Sequence, residues 1–145
     1  MSNAIPQLNP HQAMLACLTL VMAVNGAPST KTRDLLMRLC AATRGFAIII
    51  EEDTIQNEAQ MEAMTLDILS APDGMNTLLE LAAPVLTMEA RQLTYALAVD
   101  FVLANNKLTP EEMRVLDILA DTFKLDKLTR AAIDRAAQIR LQPYF

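Results

Sequence analysis

From Ala13 to Val24 the chain is apolar at nearly every position. Met14, Leu15, Cys17, Leu18, Val21, Met22 and Val24 run most of the way round the helix that Asn9-Pro10 opens, so the pattern predicts a central helix buried on all sides. Asn25-Gly26-Ala27-Pro28 supplies the stop, with Gly after the last apolar residue and Pro shortly beyond. Ser29 then caps a second helix, in which Leu35, Leu36, Leu39 and Cys40 recur at helical spacing while Arg33, Asp34, Arg38 and Arg44 stay outside, and Gly45 is its expected end. The five apolar residues Phe46 to Ile50 have the length of a buried strand, but no partner strand exists elsewhere, so they read as a short helical turn. A third main helix is expected from about Thr54 to Leu69, with Glu58, Glu62 and Thr65 on one face. Pro72-Asp73-Gly74 reads as a turn, followed by a short helix from Asn76 to Ala83 that Pro84 terminates.

Thr87 caps a helix from Met88 to Asn105, and its second half, from Tyr95 to Ala104, is again almost wholly apolar, which predicts a second central helix. Thr109-Pro110-Glu111-Glu112 then sets a threonine at the N-cap, proline at the first helical position and glutamate at the third, a complete capping box. Arg114, Asp117 and Asp121 mark the polar face of the helix it starts, and Leu116, Leu119, Ala120 and Phe123 the buried one. A last helix follows Asp126 to about Ile139, before Pro143. An offset of 80 residues sets Ala16 on Ala96, Asn25 on Asn105, Ser29 on Thr109, Leu36 on Leu116 and Leu39 on Leu119. The chain therefore reads as a compact all-α single domain, residues 1–145, of about seven helices. Its two central hairpins, about 11–44 and 91–124, are related by approximate two-fold symmetry, and an acidic segment, about 46–89, connects them.

Composition narrows the function classes. Three glycines exclude a Gly-rich phosphate cradle, and a single histidine, His11, removes most metalloenzyme designs. His11 sits beside Pro10 at a helix start and is expected as an exposed residue of the cap. No nucleophile, base and orienter can be assembled from the chain, which argues against an enzyme. Cys17 and Cys40 lie in apolar runs, which fits core thiols in a reduced cytoplasmic protein better than a disulfide or redox pair. The longest apolar stretch is short of the ~20 residues of a membrane span, and Met1 to Ala4 lack a basic n-region, so neither a span nor a signal peptide is expected; Ser2-Asn3-Ala4 resembles an expression scar.

The charge is segregated along the chain. Nine acids, Glu51, Glu52, Asp53, Glu58, Glu62, Asp67, Asp73, Glu80 and Glu89, occur from 51 to 89 without a lysine or arginine, so this block carries −9 and the remainder +4 within a net −5. If the fold puts each set on its own face, the molecule has an acidic and a basic side suited to a protein partner or a membrane surface. Glu51, Glu52, Asp53, Glu58 and Glu62 are the candidate interaction residues. The acidic balance argues against nucleic acid, and homo-oligomerisation is left open.

The second hairpin, Ala98 to Ala120 (AVDFVLANNKLTPEEMRVLDILA), resembles the TerB-like family, named for tellurite resistance, and Cys17 to Cys40 fits the same arrangement more loosely, so the likeness spans roughly residues 11 to 140. The resemblance implies a helical module of a bacterial stress response. Family members often carry Asp-Gly in the turn, and proteins similar to them have been thought to hold a divalent metal there; here Asn25-Gly26 and Asn105-Asn106 replace the charged ligand, and only Glu111 and Glu112 remain. Asp100, which interrupts the second central helix where the first copy has Leu20, is the most unusual residue. It is expected at the surface or in a structural hydrogen bond, with an ion pair or a metal site shared with Glu111 or Glu112 as alternatives. Oxygen-only ligands would suit calcium, magnesium or manganese in a metal sensor or metal-dependent enzyme; no other cofactor is expected.

Overall fold

The computed structural model describes residues 7–24, 26, 28–45, 58–105 and 108–141. Among the described residues there are seven main α-helices and no strand: α1 (Pro10–Ala23), α2 (Thr30–Ala41), α3 (Glu58–Ser70), α4 (Gly74–Ala82), α5 (Met88–Ala104), α6 (Pro110–Thr122) and α7 (Lys127–Leu141), with a 3₁₀ turn, Ala83–Val85, between α4 and α5. The expected turn at 46–50 and the start of the third helix lie outside the described residues.

Local chemistry starts these helices where the sequence expects them. Three open on capping boxes. In α6 the Thr109 hydroxyl accepts from the Glu112 amide at 3.1 Å and Glu112 Oε1 accepts from the Thr109 amide at 3.0 Å. In α2 the same exchange joins Ser29 and Thr32, 80 residues earlier. In α1 the partners are Asn9 and Gln12. Each box satisfies two amides that a helix start would otherwise leave orphaned. Asp126 caps α7 through the Thr129 amide at 2.8 Å, and the same bonds hold its carboxyl below the usual carboxylate range.

α1 is buried almost all round, as its pattern predicts, and packs on α3, α4 and α5. α5 in turn packs on α7, α2 and α6. The two apolar helices thus form a central pair that separates α3 and α4 from α7. The faces matched by the 80-residue offset are buried in both copies at Leu36 and Leu116, Cys40 and Ala120, and Val21 and Phe101. The first arms of the hairpins pack on each other more closely than α1 packs on α2.

Four local expectations are corrected. His11 is fully buried; Asn9 makes the cap, and the second helical position turns the imidazole into the core. Gly45 is not the stop of α2, which ends at Ala41; residues 44 and 45 are already helical again, and a Cβ on Gly45 would come within 3.0 Å of Leu93 Cδ2 on α5. α4 begins at Gly74, because Asp73 adopts a left-handed φ of 61° and turns the chain at once into the helix. A Cβ on Gly74 would lie 2.8 Å from Leu69 Cα and collide with the Ile68 carbonyl, so glycine is what lets α3 and α4 meet. Finally, Pro84 does not end α4 directly but sits in the 3₁₀ turn that follows it.

Candidate functional site

Two surfaces stand out. The first is a cleft of about 400 Å3 between α1, α2 and α3, walled by Leu15, Thr19, Met22, Leu36, Met37 and Met61. Each of the three helices contributes one methionine, and thioether side chains re-pack readily around an irregular occupant. At the mouth Arg33 Nε donates to both carboxylate oxygens of Glu62, at 2.8 and 3.0 Å. The pair spans α2 and α3, and Arg33 is the more exposed partner.

The second is α7. Its inner face is fastened by polar contacts. Arg130 Nε donates to the Tyr95 hydroxyl at 3.0 Å, its guanidinium lies 5.6 Å from the Tyr95 ring centre, and its Nη2 reaches Asp117. The Tyr95 hydroxyl donates onward to Asp134 at 2.7 Å. Burial, and next the bond to Asp134, push the Tyr95 hydroxyl well above the usual tyrosine range. Ile133, Ala137 and Leu141 pack on the core from the same helix, whereas the outer face carries two large apolar side chains: Leu128 is 85% and Ile139 58% exposed. Eleven residues is three helical turns, so the two share a face about 16 Å long with Ala131, Ala132 and Arg135 between them. Exposed Lys127 and Arg140 lie beside them.

Of the basic residues, Lys31, Arg33 and Arg38 stand on α2, where Arg33 meets the acidic block at Glu62. The exposed acids Asp67, Asp73 and Glu80 belong to α3, α4 and the turn between them, on α1, whereas Lys127, Arg135 and Arg140 belong to α7, on α5. Of the candidate interaction residues, Glu51, Glu52 and Asp53 lie outside the described residues, as does the side chain of Glu58; Glu62 is partly buried and bonded to Arg33. The expected surface position of Asp100 is corrected. Its carboxylate is only 17% exposed and pairs with Arg140 at 3.1 Å, because α7 crosses that face of α5. Glu112 is 2% exposed and committed to its capping box, and Glu111 is exposed. Asp100 is thus engaged by a cation rather than gathered with the glutamates, and no group of three or more metal-ligating side chains occurs among the described residues.

Cys17 and Cys40 are buried, and burial pushes the Cys17 thiol up to about 12. No helix among the described residues is long and apolar enough to cross a membrane. Sequence reasoning missed Tyr95, Arg130 and Asp134 as a unit, and Arg91, which donates to the Ala83 carbonyl at 2.8 Å and the Phe123 carbonyl at 3.2 Å. These partners stand up to 39 residues apart, beyond any local pattern. No protein-family model, curated protein or solved structure matches the chain.

Proposed function

We propose that this chain is a non-enzymatic interaction module that docks through the outer face of α7 onto an acidic, apolar-striped surface of a protein partner. One observation carries the reading: the inner side of the helix is already fastened, by Arg130, Asp134 and Arg140 and by Ile133, Ala137 and Leu141 against the core, yet Leu128 and Ile139 face solvent beside cations. An amphipathic helix ordinarily turns these outward residues to the core. The segregation of charge supports the same reading, since an acidic partner would be steered to α7 and repelled from α3 and α4. The association with tellurite resistance and bacterial stress rests on the TerB-like resemblance alone, strongest over residues 98–120.

The test is affinity capture at low and high salt with wild type, Leu128→Asp/Ile139→Asp and Lys127→Glu/Arg135→Glu, followed by binding measurements on the purified partner. The expected result is a partner whose affinity falls at least about tenfold in both variants and weakens with salt. Equal binding by wild type and both folded variants would overturn the proposal, and binding to anionic lipid vesicles instead of a protein would replace the partner with a membrane surface.

A further inference from the structure

The cleft between α1, α2 and α3 is independent of the α7 face, and its chemistry points to a different occupant. We infer that it binds a neutral amphipath, a hydrocarbon chain with a hydroxyl-bearing, uncharged head. Among the described residues the walls are apolar apart from the Thr19 hydroxyl, and the volume of about 400 Å3 falls within the range of small-molecule sites. Met22, Met37 and Met61 allow the walls to adapt to a flexible chain.

The mouth selects the head. Arg33 and Glu62 neutralise one another there, and both bonds to the carboxylate use Nε of the guanidinium, which leaves its Nη donors beside a carboxylate acceptor. A carboxylate head would gain from Arg33 and be repelled by Glu62 at contact distance; an ammonium head would meet the reverse. A hydroxyl head donates to Glu62 and accepts from Arg33 without opposing either charge. Arg33 is the more exposed partner, so it is the side chain that swings into water to admit a chain.

The test uses the fluorescent neutral probe N-phenyl-1-naphthylamine with the full chain, displaced by monolaurin, laurate or dodecylammonium below their micellar concentrations. Monolaurin is expected to displace the probe at concentrations about tenfold lower than either ion. Glu62→Gln is expected to move the preference by about tenfold towards laurate, and Arg33→Gln by a similar factor towards dodecylammonium. Met37→Trp, at a partly exposed wall position, is expected to abolish probe binding while leaving the melting temperature unchanged. Probe binding that persists in folded Met37→Trp overturns the inference, as does a wild-type preference for either ion or a head preference indifferent to both charge variants. If wild type fails to bind the probe or displace it with monolaurin, the inference also fails, whatever the outcome for α7.

Discussion

Replacing Tyr95 by phenylalanine keeps the buried ring and removes only its hydroxyl, so it isolates the polar fastening of α7. That hydroxyl donates to Asp134 at 2.7 Å and accepts from Arg130 at 3.0 Å. A hydrogen bond to a charged group contributes about 1.5–3 kcal/mol when well protected. Both partners here are about one-third exposed and can recover part of the loss through water or through each other, their nearest atoms being 3.6 Å apart. The expected cost of Tyr95→Phe is therefore about 2 kcal/mol, or roughly 4–8 °C in a thermal melt of a chain of this size. The pH dependence gives a second, independent signature. The folded state holds the Tyr95 proton more tightly than the unfolded chain does, through burial and then Asp134. Stability from this group is thus fully present below the unfolded tyrosine value of about 10 and is lost above it, at up to about 1.4 kcal/mol per pH unit. Urea melts of wild type and Tyr95→Phe from pH 7 to 11 measure both effects. A variant as stable as wild type at pH 7, with the same decline above pH 10, would refute the network.

Cys17, pushed up to about 12 by burial, is expected to react with a thiol reagent at pH 8 only as fast as the protein opens, and its contribution to stability is expected to be lost from about pH 9 upward; reaction of native protein at the rate of a free thiol would contradict its burial. Gly74→Ala is expected to destabilise by at least about 2 kcal/mol, because the new Cβ meets backbone rather than a movable side chain, and chemical denaturation reads the loss. Asp100→Leu, which copies buried Leu20 of the first hairpin, is expected to be neutral or stabilising. Arg140→Ala, which leaves the carboxylate half-buried without its cation, is expected to cost about 1 kcal/mol. The reverse order in thermal melts would show that Asp100 has another role.

The helices were legible because their signals are local. Thr109 and Glu112 stand three residues apart, and the spacing that makes a capping box in sequence is the spacing that makes it in space. The two central helices were legible because a helix apolar all round can only be buried. What escaped is what tertiary packing decides. His11 reads as a cap residue beside Pro10, yet one further residue along the first turn points it inward. Asp100 reads as exposed because nothing near it in sequence shows that Arg140 will cross above it. The acidic block reads as one surface, but Glu62 meets Arg33 from 29 residues away, and that meeting closes the mouth of the cleft. The α7 face was hidden for a related reason: Leu128, Ile133, Ile139 and Leu141 cannot all share one face, and only the packing shows Ile133 and Leu141 on the inner side with Arg130, Asp134 and Ala137, leaving Leu128 and Ile139 outside.

A partner docked on the outer face of α7 would cover the backbone of that helix. Hydrogen exchange of the full chain with and without its captured partner tests this docking most directly, because an interface slows the exchange of the amides it covers. Protection is expected to concentrate in Lys127–Leu141, with α3 and α4 exchanging as in the unbound protein. Protection centred on Glu58–Ala82, with α7 unchanged, would contradict docking on α7.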